Sequence, residues 1–186
     1  MIQSKKVTVI IPAAGFGSRM QTPIGGRSKQ FMTLRNRPLL AHTLEKFENS
    51  KYTDEIIVVC PDDGIRFVEE EVVVKFGFKK VSKIVVGGKQ RQDSVYEGLK
   101  AVQAADMILV HDAVRPFILV QKIDELIETC AKCRAAILAV QPKDTVKLQD
   151  NDHYVSRSLD RTKLWNVQTP QAFEYALLWE AFQKAY

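Results

Sequence analysis

Three short stretches of this chain concentrate residue types that hold anions. The first, Pro12-Ala13-Ala14-Gly15-Phe16-Gly17-Ser18-Arg19-Met20, runs through a polar link to Lys29-Gln30-Phe31. Small residues let a backbone approach a ligand closely, and consecutive N–H groups can then face an anion. Arg19 and Lys29 beside such a loop repel each other unless an anion lies between them. The stretch therefore reads as a phosphate cradle, with a plain tight strand-to-helix turn as the alternative. The second, Gly87-Gly88-Lys89-Gln90-Arg91-Gln92-Asp93-Ser94, places glycines at the opening of a helix. The third, His111-Asp112-Ala113-Val114-Arg115-Pro116-Phe117, follows four apolar residues and sets a carboxylate at a strand's carboxyl end. There Asp112 suits a metal ion or a ribose; otherwise it is a helix N-cap or a partner for Arg115. Small residues, cations and one carboxylate together suit a nucleoside polyphosphate with a divalent metal.

Other chemistries fit less well. The opening loop lacks the Gly-Lys-Ser/Thr ending of a P-loop. It matches a dinucleotide fingerprint only loosely, because Met20 stands where the third glycine belongs and no acidic residue follows at the expected distance. No Ser-His-Asp or Cys-His arrangement stands out, which argues against acyl transfer. His111 reads as a core histidine with satisfied ring nitrogens, and His42 and His153 as structural or exposed. Cys130-x-x-Cys133 has no second ligand pair for zinc and falls in an amphipathic helical run, so Cys60, Cys130 and Cys133 are expected as buried, reduced thiols.

The elements that must position these loops alternate in type. Strands are expected over residues 7–11, 55–60, 83–86, 107–110 and 135–140, the last as a fifth buried strand. Helices are expected from Pro38 (with Leu40, Leu44 and Phe47 inward), over 65–76, 91–104 and 120–133, and from near Phe173 onward. Near-continuous apolar strands separated by helices predict an α/β fold, a mainly parallel sheet covered on both faces. Residues 141–163 break the rhythm. Two alternating segments, 144–148 and 154–159, flank a turn and predict a projecting β-hairpin. Such an arm is marginal alone and needs something to pack on, most simply a second subunit.

The chain has 186 residues, 46% hydrophobic and 26% charged, which suits one globular domain. No apolar run is long enough to span a membrane, and because the N-terminus leads directly into the first strand no signal peptide is expected. A net charge of +5 favours anionic partners. The basic residues are scattered and not interleaved with aromatics, so nucleic acid is a weak reading and no membrane partner is expected.

The ordered motifs just quoted, together with Leu164-Trp165-x-x-Gln168-Thr169-Pro170-Gln171, resemble those of the 2-C-methyl-D-erythritol 4-phosphate cytidylyltransferases of the non-mevalonate isoprenoid pathway. The resemblance spans almost the whole chain. It implies a single Rossmann-like nucleotidyltransferase domain over residues 1–186, with a dimerisation arm at about 142–163. It also implies a Mg2+-dependent reaction in which CTP and methylerythritol phosphate give 4-diphosphocytidyl-methylerythritol and pyrophosphate. The substrate phosphate attacks the α-phosphorus in line, without a covalent enzyme intermediate, so charge neutralisation outweighs acid–base work.

By this resemblance Arg19 and Lys29 are the catalytic cations. Ala13, Ala14, Gly15, Gly17, Gly87, Gly88, Arg91 and Ser94 line the nucleotide. Asp112 is the metal-side or substrate-hydroxyl carboxylate, and Arg115, Thr145 and Arg161 hold methylerythritol phosphate. Thr145 and Arg161 reach it by crossing to the other subunit of a homodimer. A cytoplasmic setting is implied, or a plastid stroma for a plant or algal source. Two departures stand out. In the first, the Arg19–Lys29 link is longer than usual and has Ser28 where a proline is common. The chain also ends at Tyr186, before a helix and strand bearing a substrate-positioning lysine, so a truncated or impaired form is expected. The competing readings are a ribitol-5-phosphate cytidylyltransferase and a catalytically impaired CTP-binding homologue.

Overall fold

The computed structural model describes residues 4–15 and 29–186, the side chain of Lys29 excepted. Its centre is β1 (Val7–Pro12), five of whose six residues are buried. The β-branched run Val7-Thr8-Val9-Ile10-Ile11 suits a strand covered on both faces. Its side chains alternate, as the strand period requires: Val7, Val9 and Ile11 enter one apolar cluster and Ile10 the other.

After a single turn at Lys29–Phe31, a two-residue ladder joins β2 (Thr33–Leu34) to β3 (Arg37–Pro38). Then come α1 (Leu39–Glu48), β4 (Glu55–Cys60), α2 (Ile65–Phe67) and β5 (Val81–Val86). They are followed by α3 (Arg91–Lys100), β6 (Met107–Val110), α4 (Val120–Cys133), β7 (Ala135–Val140), β8 (Lys147–Gln149), β9 (Val155–Ser158), β10 (Asn166–Glu174) and α5 (Tyr175–Ala185). Past Phe67, α2 widens into a π-helical stretch over Val68–Val74.

The main sheet has the order β5-β4-β1-β6-β10-β7. The ladders β4–β1, β1–β6 and β4–β5 are parallel, while β10 runs antiparallel to both neighbours. Leu40, Leu44 and Phe47 of α1, and Ile123, Leu126 and Ile127 of α4, are buried on one face. Val95 and Leu99 of α3 and Leu178 of α5 cover the other. This is the α/β fold expected from the alternation.

Three elements differ from their sequence-based expectations. The helix expected over 91–104 stops at Lys100, so Val102 packs from a loop. Residues 135–140 form an edge strand and not a buried one: β10 inserts between β6 and β7, leaving Ile137 48% and Val140 53% exposed. β10 itself was not anticipated. The arm forms as expected, with β8 and β9 pairing antiparallel in a separate two-stranded ladder. Among the described residues no helix is long and apolar enough to cross a membrane.

Candidate active site

From β1 the chain passes to β4 on one side, whereas β6 is followed by elements on the other. The carboxyl ends of β1 and β6 therefore flank a topological switch point, the place where open α/β sheets bind ligands. The three loops singled out above meet at this edge.

The opening loop leaves β1 nearly buried. Ala13 N–H donates to Val59 O at 2.6 Å, and Ala13 and Ala14 are only 2% and 6% exposed. Gly15 then emerges; a Cβ there would meet nothing within 4 Å. Gln30, itself buried, donates its side-chain amide to Ala13 O. Phe31 packs against Phe67 with the ring centroids 4.9 Å apart and the planes tilted by 55°. The single turn at Lys29–Phe31 is thereby pinned to the opening loop on one side and to α2 on the other. Gln30 is a site residue that sequence reasoning left without a role; its only signal was an amide beside the cation in a short polar turn. Arg19, Gly17 and the Lys29 side chain lie outside the described residues.

The glycine loop after β5 folds against the first. Gly87 N–H donates to Cys60 O at 2.9 Å, and a Cβ on Gly87 would collide with the Ala14 Cβ and sit 2.8 Å from Ser94 Oγ. Glycine is required here by close approach. A Cβ on Gly88 would likewise strike the Asp93 side chain, which accepts from Gln90 N–H in the capping box that starts α3. Ser94 is buried and its hydroxyl donates to Gln90 O at 3.1 Å, so it lies beneath this loop.

The third loop carries the charges. Asp112 Oδ1 accepts from Arg91 Nε at 2.9 Å and Nη2 at 2.8 Å, and Oδ2 accepts from Arg115 Nε at 3.0 Å. Arg115 Nη1 donates to Gln168 Oε1 at 2.6 Å, and Asp112 N–H to Thr169 Oγ1 at 3.3 Å. The partner-for-Arg115 reading of Asp112 is thus realised, together with a second arginine that spacing alone did not disclose. Two guanidinium groups on one carboxylate leave a net positive charge at the mouth of the sheet.

His111 is fully buried, its ring 4.9 Å from that of Phe47. Burial pushes its pKa down to about 4. Nε2 lies 3.1 Å from Arg115 O, which makes it the protonated nitrogen of a neutral ring. Nδ1 faces the Thr169 backbone without a bond of good geometry, so the expectation of two satisfied nitrogens is corrected to one.

Beside Arg115 opens a cavity of about 540 Å³, walled by Val114, Phe117, Leu138 and Val140 and edged by Arg115 and Gln168. Thr145 and Arg161 belong to the exposed arm, where Arg161 Nη1 donates to Lys143 O at 2.9 Å; no hydrogen bond joins either to the third loop. Among the described residues no three His, Cys, Asp or Glu side chains converge as a metal cage. Cys60 and Cys130 are buried, and burial pushes their thiols up to about 12 and about 11. Cys133 is exposed, against expectation, because it falls on the outer side of α4.

Glycine loops at the switch point of a mainly parallel sheet, with a surplus of guanidinium charge, define an α/β anion-binding site of the kind a nucleotidyltransferase needs. The family model for IspD, 2-C-methyl-D-erythritol 4-phosphate cytidylyltransferase, matches residues 7–186, and the chain belongs to that family. It is 45% identical over 166 residues to the 2-C-methyl-D-erythritol 4-phosphate cytidylyltransferase of Clostridium acetobutylicum, covering 89% of this chain and 71% of that protein. With the enzyme of the same name from Lachnoclostridium phytofermentans it shares 43% over 178 residues, 96% of this chain and 75% of the relative. The crystal structure of 4-diphosphocytidyl-2C-methyl-D-erythritol synthase from Anaerococcus prevotii superposes with a TM-score of 0.84 at 33% identity, covering 99% of this chain and 76% of that one. The chain is therefore an enzyme, a cytidylyltransferase of the non-mevalonate isoprenoid route, and the ribitol alternative is not favoured.

Proposed function

We propose that this chain joins CTP to 2-C-methyl-D-erythritol 4-phosphate by in-line attack of the substrate phosphate on the α-phosphorus, releasing pyrophosphate. The observation that carries the reading is the Arg91–Asp112–Arg115 cluster, set between two nucleotide-sized loops and an open cavity. The glycine loops offer backbone donors to the triphosphate from Ala14, Gly15, Gly17 and Gly88, while the N–H groups of Ala13 and Gly87 are spent on Val59 and Cys60 and fix the loops' approach, with Arg91 and Ser94 behind them. Arg19 and Lys29 stabilise the charge that builds at the α-phosphorus; losing one such donor costs about 3 kcal/mol. Arg115 meets the polyol phosphate, and Asp112 keeps its guanidinium in place.

A magnesium ion fits this donor set if it arrives on the triphosphate. Magnesium takes one or two carboxylates and fills its remaining positions with phosphate oxygens and water. Asp112 Oδ2 accepts a single arginine N–H and keeps a lone pair for this use. When bound, the ion supplies further charge neutralisation.

The reading includes a homodimer. Tyr154 and Val155 of the arm are 73% and 63% exposed, and the β7–β10 edge is similarly apolar and open. A partner covering both would bring its own Thr145 and Arg161 to the substrate phosphate. One domain working in a cytoplasmic setting suits this assembly. The test is a pyrophosphate-release assay with CTP and either polyol phosphate. Turnover with methylerythritol phosphate at least tenfold faster than with ribitol 5-phosphate is expected; the reverse order would sink the assignment.

A further inference from the structure

We infer that Gln168 is a positioning residue that sets the Arg115 guanidinium toward the polyol phosphate. The inference rests on the reaction proposed above and adds to it a residue with no role so far. Arg115 is held through two of its three nitrogens: Nε by Asp112 Oδ2 at 3.0 Å and Nη1 by Gln168 Oε1 at 2.6 Å. Among the described residues Nη2 has no hydrogen-bond partner. A guanidinium is a rigid planar fork, so a single anchor at Nε lets the plane swing, while two anchors on different nitrogens fix its direction and its roll.

The anchors come from different parts of the fold. Asp112 sits on the loop after β6. Gln168 sits where the pairing of β10 with β7 shifts register between Val167 and Gln171, which frees Gln168 from the ladder. Arg115 and Gln168 both line the 540 Å³ cavity, so the guanidinium and its second anchor stand at the space a substrate would fill. The chemistry of the second anchor also fits. An amide oxygen accepts from the guanidinium without cancelling its charge, whereas a second carboxylate would weaken its pull on a phosphate. The Arg115 side chain is 46% exposed, and without the second anchor it would spread over several rotamers before each binding event.

Steady-state kinetics on Gln168→Met test this, because methionine keeps the length and removes the acceptor. The expected result is a rise on the order of tenfold in KM for methylerythritol phosphate, with kcat, KM for CTP and the melting temperature unchanged. In an Arg115→Lys background the same substitution should add less than twofold, since its route to the substrate is already gone. An unchanged KM, a full tenfold effect in the Arg115→Lys background, or a parallel loss of CTP affinity by calorimetry would overturn the role. Absence of wild-type turnover with any polyol phosphate would instead overturn the proposed reaction, and this inference with it.

Discussion

At the scale of single residues, Asp112 and His111 work side by side through different physics. Asp112 is partly exposed and acts by charge, gathering Arg91 and Arg115 into one cluster. His111 is buried and neutral and acts by geometry, holding the Arg115 carbonyl from below. Its titration gives a signed expectation. Above pH 6.5 the ring is neutral whether the chain is folded or not. Between pH 6.5 and about 4 the unfolded chain takes up a proton that the folded one refuses, so stability falls as pH falls through that window. The loss reaches about 3 kcal/mol at its lower end. Denaturant unfolding of wild type and His111→Gln at pH 7 and pH 4 should show that the variant loses about 3 kcal/mol less over the interval. Equal losses would mean that His111 titrates normally.

At the scale of elements, the site depends on how closely the loop after β5 approaches the loop after β1. Gly87 is the point of contact, with Ala14, Val59 and Ser94 all around its missing side chain. Gly87→Ala should force the two nucleotide loops apart at a cost of about 1–3 kcal/mol and weaken CTP binding on the order of tenfold or more. Calorimetric titration with CTP checks this, and wild-type affinity in the variant would remove Gly87 from the site. This contact was not legible in the sequence, where Gly87 was only one of several glycines; the neighbour that makes it necessary comes from a strand two positions away in the sheet. Strands 55–60, 107–110 and 135–140 and helix 120–133 were legible to the residue, because long apolar runs and a clear 3.6 period decide them locally. β10 was not, because Asn166-Val167-Gln168-Thr169-Pro170-Gln171 is polar and contains proline, and only pairing with β6 and β7 makes it a strand. The same insertion explains why β7, apolar throughout, ends on an exposed edge. The Arg91–Asp112 pair was not legible for a related reason: its members lie 21 residues apart, one at the start of α3 and one in the loop after β6, and only the sheet order brings them together.

At the scale of the whole molecule, one sheet edge gathers the loops proposed to serve the nucleotide and the cavity proposed for the second substrate, while the arm is a separate, exposed two-stranded ladder. That division fits a site shared between two copies. Sedimentation should give twice the 21.1 kDa chain mass, and Tyr154→Asp with Val155→Asp should halve the mass and lower turnover at least a hundredfold. A fully active monomer would remove the arm from the site. The central claim, that the polyol phosphate itself attacks CTP, is tested most directly by 31P NMR of the reaction with methylerythritol phosphate carrying 18O in its phosphate. The account predicts pyrophosphate and a diphosphate product whose bridging oxygen carries the label, seen as an isotope shift on both of its phosphorus atoms. Release of CMP, or a bridge without the label, would contradict it.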